Sequence, residues 1–167
     1  MKNEVINLDD IIKGELRQLT NFHNSQHIKI DYTLNRISDL YSDSVRIKTI
    51  LTNVISNALK YSDKTKSNQF INMKVQVTPD ECVIKVEDNG IGIRQQYLSN
   101  IFDIFYRADE NAKGSGLGLY IVKDTVDRLG GQIQVQSEYG KGTTFTITIP
   151  NFLNSKIPST GVLLLNN

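Results

Sequence analysis

Apolar and polar residues alternate at every second position in four segments of the chain. Their apolar members are Ile71, Met73, Val75 and Val77; Cys82, Ile84 and Val86; Ile133 and Val135; and Phe145, Ile147 and Ile149. Alternation with period two is typical of β-strands that have one buried and one solvated face. The pattern predicts a mostly antiparallel sheet with its helices on one face, which makes a two-layer α/β (α+β) sandwich.

Two other segments carry apolar residues at the spacing of an α-helix. Residues 44–61 have the clearest apolar stripe, formed by Ile47, Ile50, Leu51, Val54, Ile55, Ala58 and Leu59. Residues 117–129 predict a final helix. The pair Gly130-Gly131 predicts its end, because glycine readily adopts the conformation that closes a helix.

The beginning and the end of the chain have weaker patterns. Asp9 and Asp10 predict the N-terminal cap of a first helix, and residues 28–34 predict a short strand. We expect residues 1–150 to form one domain. Residues 151–167 show no clear period and are interpreted as a C-terminal tail without assigned structure.

The composition is that of a globular domain. The chain has 167 residues, of which 39% are hydrophobic and 22% are charged, within the ordinary range for one domain. A net charge of +1 gives no global field that would attract nucleic acid or an anionic membrane. One cysteine excludes a disulfide framework and a multi-cysteine metal site. Without a signal peptide or an apolar span, the expected location is the cytoplasm.

Three polar side chains share one face of the helix predicted over residues 44–61. Asn53 and Asn57 are four residues apart, and Lys60 follows three residues later. Amide oxygens are ligands that suit magnesium, and a lysine ammonium is a point charge that suits phosphate. A solvated helix face with incidental polar residues is the alternative, and these residues alone leave it open.

A carboxylate ends the second predicted strand. Period two places Asp88 on the apolar side of that strand, where an ionised carboxylate needs hydrogen-bond donors. The sequence NGIGI follows at residues 89–93, and its glycines permit close approach of the backbone. An adenine amino group is a suitable donor for Asp88, whereas a plain Asn-Gly turn is the alternative.

A glycine-rich loop, GSGLGL at residues 114–119, runs directly into the final predicted helix. The exposed N–H groups of such a loop and the positive end of the helix dipole attract phosphate. The spacing is neither that of a Walker loop nor that of the dinucleotide-binding fingerprint. A flexible hinge is the alternative.

Two further segments lie on either side of this loop. IFDIFYR at residues 101–107 contains Phe102 and Phe105, which by themselves indicate ordinary core residues, and Arg107. The planar guanidinium of Arg107 suits a terminal phosphate. GKGT at residues 140–143 by itself indicates a hairpin turn.

The order of these five segments identifies a family. NVISNALKYS, DNGIGI, IFDIFYR, GSGLGL and GKGT follow one another in the order and spacing of the N, G1, F, G2 and G3 boxes of histidine kinases. From about residue 5 to residue 150 the chain resembles the catalytic ATP-binding domain of two-component sensor histidine kinases. The resemblance implies the Bergerat-type ATP-binding fold.

The resemblance also implies how ATP and magnesium are held. Asn53 and Asn57 would bind a magnesium ion that bridges the phosphates. Lys60 would lie near the phosphates and Tyr61 beside the nucleotide. Asp88 would bind the adenine amino group.

The remaining implied roles concern the phosphate end. Arg107 would reach the γ-phosphate, so Asn53, Lys60 and Arg107 form the implied catalytic set. Residues 108–113 would be a short ATP lid anchored by Phe102 and Phe105. The implied nucleotide-binding residues are Asn57, Tyr61, Asp88, Gly90, Gly92, Ile93, Phe102, Phe105, Gly114, Gly116, Leu117, Gly118 and Thr143.

The implied fold is shared with type II topoisomerases, a heat-shock chaperone family, mismatch-repair ATPases and anti-sigma-factor kinases, so the fold alone does not decide function. The hydrolytic relatives and the serine kinases have a glutamate general base where this chain has Asn53. An asparagine cannot accept a proton, which favours a histidine nucleophile with its own lone pair. A stand-alone ATPase or protein serine kinase is the alternative, and a degenerate interaction module is a third interpretation.

The phosphoacceptor itself is not recognisable in the chain. The family's acceptor box has a histidine followed by an acid, a basic residue and soon a proline, and neither His23 nor His27 matches it. The implied partner is therefore a separate dimerisation and phosphoacceptor domain of the parent kinase, N-terminal to Met1, with a response regulator as an indirect partner. We expect no nucleic-acid or direct membrane contact and a monomeric isolated domain; membrane anchoring of the parent stays open.

Overall fold

The computed structural model describes residues 3–22, 27–106 and 116–153. The elements in chain order are β1 (Glu4–Val5), α1 (Leu8–Phe22), β2 (Lys29–Arg36), β3 (Tyr41–Ser42), α2 (Ser44–Lys60), β4 (Phe70–Val77), β5 (Glu81–Asp88), a 3₁₀ helix (Gln95–Tyr97), α3 (Gly118–Arg128), β6 (Gln132–Glu138) and β7 (Gly142–Pro150). The helix predicted over residues 44–61 and the four alternating strands are confirmed.

Five strands form one sheet in the order β2-β4-β5-β7-β6. The β2–β4 pair is parallel, and the other three pairs are antiparallel. The parallel pair needs a crossover, and the chain between its strands contains α2. The prediction of a mostly antiparallel mixed sheet is therefore confirmed. A separate two-stranded sheet, β1-β3, was not predicted.

The helices and the apolar face of the sheet enclose one hydrophobic core. All seven apolar residues predicted for the stripe of α2 are buried, and every apolar residue of the predicted β5 pattern is buried as well. Because both patterns point into the same core, the two-layer arrangement follows from them. No helix in the described parts of the chain is long and apolar enough to cross a membrane.

The predicted cap of the first helix is wrong. Asp9 and Asp10 lie inside the first turn of α1, and the side-chain oxygen of Asn7 accepts from the N–H group of Asp10 instead, at 3.4 Å. The carboxylate of Asp9 is occupied elsewhere, because it accepts from the hydroxyl of Tyr32 at 2.7 Å and pairs with Lys13.

The contacts of the fold continue past Pro150. Asn151 is buried, its amide nitrogen donates to the carbonyl oxygens of Asp39 and Thr78, both at 2.8 Å, and its amide oxygen accepts from the N–H group of Tyr41 at 2.9 Å. One side chain thus joins the start of β3 and the loop before it to the β4–β5 turn. The domain boundary at residue 150 stays a prediction, and residues 154–167 of the expected tail lie outside the described residues.

Candidate functional site

A cavity of about 830 Å³ opens where the end of α2, the end of β5 and the turn between β6 and β7 meet. Seven residues of the predicted site line it: Asn57, Lys60, Tyr61, Asp88, Gly92, Ile93 and Thr143. Nine lining residues were not predicted: Ala58, Ile91, Arg94, Tyr97, Ile101, Tyr106, Leu119, Tyr139 and Phe145. A cavity of this size accommodates a small organic ligand, with apolar walls and few polar groups.

Asp88 is the one carboxylate among the described residues that line the cavity. It is half-buried, and one of its oxygens accepts from the N–H group of Gly90 at 2.8 Å. Burial raises the pKa of Asp88 to about 6, although the N–H groups of Gly90 and Thr143 and the charge of Lys66 act in the opposite direction. A partly desolvated carboxylate at the end of a strand is therefore ready to accept a hydrogen bond from a ligand.

The turn after Asp88 is shaped by glycines that leave no room for a side chain. Gly92 has φ of +66°, and a methyl group placed on it would lie 2.1 Å from the carbonyl oxygen of Glu138. A methyl group on Gly90 would lie 2.3 Å from the carbonyl oxygen of Tyr61. The turn consequently packs directly against the backbone of β6 on one side and of α2 on the other.

Backbone hydrogen bonds hold the same turn in place. The N–H group of Ile91 donates to the carbonyl oxygen of Tyr61 at 3.0 Å, and the N–H group of Gly140 donates to the carbonyl oxygen of Ile91 at 2.8 Å. The N–H group of Ile93 donates to the hydroxyl of Ser137 at 2.8 Å. This end of the cavity, residues 88–93 with residues 137–143, is called the turn end below.

The other end is formed by the polar face of α2, with Asn53, Asn57 and Lys60, and is called the α2 end below. The amide nitrogen of Asn53 donates to the carbonyl oxygen of Thr49 at 2.8 Å, which directs its oxygen away from that carbonyl. A methyl group on Gly118, at the start of α3, would lie 3.2 Å from the oxygen of Asn53 and 3.9 Å from that of Asn57. The two amides therefore face the same helix N-terminus, although Asn53 does not line the cavity.

Lys60 and Tyr61 interact with each other at the α2 end. The ammonium of Lys60 donates to the hydroxyl of Tyr61 at 2.9 Å and lies 4.6 Å from the centre of its ring. The positive charge of Lys60 thus lies at the cavity wall. Its partner there, the phenol of Tyr61, carries little negative charge. No group of three or more histidine, cysteine or acidic residues that could hold a metal occurs among the described residues.

An aromatic wall was missed by the sequence analysis. Tyr97 and Tyr106 line the cavity with their ring centres 6.5 Å apart. The guanidinium of Arg94 lies 4.5 Å from the centre of the Tyr139 ring, and both residues also line the cavity. No local pattern marks these residues, because the segments that carry them are brought together only by the fold.

Several predicted site residues do not line the cavity. Phe102 packs against the core, whereas the side chain of Phe105 is 65% exposed. Gly116 packs against the backbone of Phe105, and Leu117 precedes the first residue of α3. The remaining members of this group are Asn53, Gly90 and Gly118.

Part of the predicted phosphate end cannot be placed. Arg107, Gly114 and residues 108–113 of the expected lid lie outside the described residues, and so does His23. His27 is exposed in a turn before β2. The individual roles of the site residues stay predictions.

Residues 42–152 match the family described as histidine kinase-, DNA gyrase B-, and HSP90-like ATPase. This match covers the cavity and both of its ends.

Two curated relatives are similar over part of their length. Cyanobacterial phytochrome B from Nostoc sp. is 40% identical over 114 residues, which are 66% of this chain and 15% of that protein. Sensor protein SrrB from Staphylococcus aureus is 39% identical over 112 residues, which are 65% of this chain and 19% of that protein. The chain therefore spans less than a fifth of the length of these relatives.

One solved structure is similar over nearly its whole length. The mycobacterial sensor histidine kinase MprB superposes with a TM-score of 0.75 at 25% identity, covering 90% of this chain and 98% of that one. The arrangement of helices and strands described above is thus shared with a sensor histidine kinase.

Proposed function

From the premise that this chain belongs to the family of histidine kinase-, DNA gyrase B- and HSP90-like ATPases, and is the ATP-binding catalytic domain of a sensor histidine kinase, we propose that it transfers the γ-phosphate of ATP to a histidine outside the chain. The observation that carries the proposal is Asp88, a half-buried carboxylate at the turn end of the cavity. An adenine amino group would add a further donor to those that the backbone already gives this partly desolvated carboxylate.

The turn end is proposed to bind the base. Asp88 accepts from the adenine amino group, while Gly92 lets the backbone lie close to the plane of the ring. Ile91, Ile93 and Phe145 line the same cavity and provide apolar contact with the base. Recognition by one hydrogen-bond acceptor in a tight apolar site favours adenine over guanine, which has a carbonyl oxygen where adenine has its amino group.

The α2 end is proposed to hold the phosphates. The oxygens of Asn53 and Asn57 are the hard ligands that magnesium prefers, and the proximity of both amides to Gly118 is compatible with such a site. Magnesium, when bound, would neutralise part of the negative charge of the phosphates. Lys60 would exchange its contact with Tyr61 for a phosphate oxygen, because a phosphate carries far more negative charge than a phenol. Arg107 is proposed to contact the γ-phosphate.

Asn53 argues for transfer to histidine rather than hydrolysis. An amide cannot take a proton from water or from a serine hydroxyl, whereas an imidazole attacks with its own lone pair. Asp88, the one carboxylate among the described lining residues, already accepts from a backbone N–H group at the turn end. A stand-alone ATPase or serine kinase would need a base beside the phosphates.

The acceptor histidine is proposed to lie on a dimerisation and phosphoacceptor domain of the parent kinase, which then passes the phosphoryl group to a response regulator. Phosphoryl transfer depends mainly on positioning and charge stabilisation. The isolated chain, which we take to be a cytoplasmic monomer, can provide both and lacks only the nucleophile. Supplied separately, the acceptor domain should be labelled slowly and in proportion to its concentration, because the covalent link is missing.

The test uses radiolabelled ATP with magnesium, first with the chain alone and then with the acceptor domain added. Label on the acceptor alone supports the proposal, and Arg107→Ala should slow the transfer while ADP binding stays nearly unchanged. Calorimetry with ADP and GTP tests the base-binding part separately. Acid-labile label on His23 or His27 without acceptor, rapid ATP hydrolysis by the chain alone, or no heat at millimolar ADP would each contradict the proposal.

A further inference from the structure

We propose that Lys66 is a positioning residue for the nucleotide, because its ammonium joins the two turns that form the turn end of the cavity. Lys66 lies in the loop between α2 and β4 and does not line the cavity itself. The inference rests on the proposed nucleotide site for its functional part, but its structural part can be tested without nucleotide.

The ammonium of Lys66 lies among four backbone carbonyl oxygens. It donates at 2.8 Å to Asn89 and at 2.8 Å to Gly140. Longer contacts, 3.3 Å and 3.4 Å, lead to the next carbonyls of the chain, those of Gly90 and Lys141. Since an ammonium has three protons, the two short contacts are hydrogen bonds and the two long contacts share the remaining donor.

These carbonyls belong to two turns that are far apart in the sequence. Asn89 and Gly90 follow Asp88 directly, whereas Gly140 and Lys141 form the turn between β6 and β7. Their oxygens converge on one point, so that without a cation their negative ends would repel one another. The ammonium turns this repulsion into attraction and draws both turns together next to Asp88.

The location of Lys66 allows this role. Its side chain is 25% exposed, and the carboxylate of Asp63, 18% exposed, lies 3.8 Å from the ammonium. Asp63 is therefore a more distant partner of the ammonium than any of the four carbonyl oxygens. Four charge-assisted contacts to backbone, partly shielded from water, are stronger than a pair on an open surface.

Lys66 also acts on Asp88 through space. The charged or polar groups that act on the pKa of Asp88 are the ammonium of Lys66, the carboxylate of Glu87 and the N–H groups of Gly90 and Thr143. Lys66 lowers the pKa of Asp88 and Glu87 raises it. Removal of the lysine charge should therefore raise the pKa of Asp88 further above its ordinary value and move the pH dependence of nucleotide binding upward.

The structural part is tested by amide hydrogen exchange without nucleotide. In Lys66→Met two N–H groups should exchange about tenfold faster or more, as expected when charge-assisted contacts are lost. They are that of Gly140, which donates to Ile91 across the two turns, and that of Ile91, which donates to the carbonyl oxygen of Tyr61. The matched control is Lys64→Met, an exposed lysine in the same loop, which should leave both rates unchanged. Unchanged rates in Lys66→Met, or equal changes in both variants, would overturn the proposal.

The functional part is tested by calorimetry with ADP from pH 5 to pH 8. Lys66→Met should weaken ADP binding about tenfold or more and shift the pH midpoint upward. In Lys66→Ala, added ammonium chloride should restore part of the affinity, whereas tetramethylammonium chloride at equal ionic strength should not, because it has no N–H donor. A variant that lost ADP binding only because it unfolded would show neither a shifted pH midpoint nor a recovery of affinity with ammonium chloride.

The possible results separate the two proposals. Faster exchange in Lys66→Met with no ADP binding by the unmodified chain would contradict the proposed nucleotide site and leave the joining of the turns intact. Normal ADP binding by Lys66→Met, with an unshifted midpoint, would contradict the positioning role and leave the nucleotide site intact.

Discussion

The two ends of the cavity are built in different ways. At the turn end, the structure is set by backbone: glycines in contact with neighbouring carbonyls, N–H groups bonded across loops, and an ammonium among four carbonyl oxygens. At the α2 end, Asn53, Asn57 and Lys60 share one face of a helix, and the two amides face the start of α3. The turn end therefore presents a preformed shape, and the α2 end presents a row of polar groups.

This difference predicts two kinds of mutational effect. A change at the turn end alters a shape that every adenine nucleotide must fit, so its effect should not depend on magnesium. A change at the α2 end removes one ligand or one charge from a regular helix, so the fold should be retained and the effect should depend on magnesium and on the number of phosphates.

Gly92→Ala should have the largest effect. The left-handed conformation of Gly92, φ +66°, costs a non-glycine residue about 1–3 kcal/mol. The added methyl group would also lie 2.1 Å from the carbonyl oxygen of Glu138, so the β6–β7 turn has to move. We expect loss of detectable ADP binding and a lower melting temperature, measured by calorimetry and circular dichroism.

The matched control for this change is Gly140→Ala. Gly140 also has positive φ, +83°, but a methyl group there would meet no atom within 4 Å. The control therefore keeps the backbone strain and omits the collision. If both variants lost binding equally, the close packing of Gly92 would not be what shapes the site.

Asp88→Asn should weaken nucleotide binding by the loss of one charge-assisted hydrogen bond. That loss is worth about 1.5–3 kcal/mol, or roughly tenfold or more in affinity. An asparagine can still accept from the N–H group of Gly90, so the turn should be retained, but its amide hydrogens would face the amino group of adenine. Equal losses are expected with and without magnesium. Unchanged affinity would mean that the base is bound elsewhere.

Binding should also depend on pH through Asp88. Its pKa is raised from 3.8 to about 6 in the folded chain, and the ionised form is the stronger acceptor for the adenine amino group. ADP affinity should therefore fall by up to about tenfold between pH 7 and pH 5. Asp88→Asn is the control, because its side chain does not titrate in this range. The pH dependence that remains in this variant belongs to the nucleotide itself, and the difference between the two profiles belongs to Asp88.

The stability of the nucleotide-free chain should change in the opposite direction. A raised pKa in the folded state means that the folded chain holds this proton more tightly than the unfolded chain. The contribution of Asp88 to stability is thus fully present below about pH 4 and lost as the pH rises through about 6. Urea unfolding of the chain and of Asp88→Asn over this range measures it, and parallel pH profiles would contradict the shifted pKa.

Asn57→Ala should have the smallest effect. The change truncates a half-buried amide on a regular helix, and alanine has the highest helix propensity, so α2 should remain folded. ATP affinity should fall less than tenfold, and only when magnesium is present, since a metal ligand is worth little without the metal. Equal losses with and without magnesium would indicate that Asn57 has a structural role and would remove the contrast between the two ends.

The α2 end could be predicted almost entirely from the sequence. The buried stripe of α2 and its polar face both follow from the helical period, because neighbours on one helix face are three or four residues apart in the chain.

Outside the α2 end, the side of β5 on which Asp88 lies follows from the period of that strand. The β6–β7 hairpin turn and the end of α3 at Gly130, φ +71°, follow from local glycine chemistry.

The turn end could be predicted only in part. Its glycines mark a turn, but the partner that each glycine approaches is not a sequence neighbour. Lys66 bonds to a carbonyl 74 residues away, and the guanidinium of Arg94 lies over the ring of Tyr139. Outside the turn end the same holds for Asn151, which accepts from an N–H group 110 residues away. In the sequence, Lys66 is one of several polar residues of an unremarkable loop.

The sequence by itself thus determined the helices, the strands of the five-stranded sheet, the side of each that is buried, and the order of motifs that marks the family. These features depend on side-chain periodicity and on the conformations open to single residues, which are properties of short segments. The tertiary structure alone decided how the turns meet, which cation stabilises them and which aromatic rings complete the cavity. Such contacts form between loops without a period of their own, so only the packing of the sheet and helices brings their partners within bonding distance.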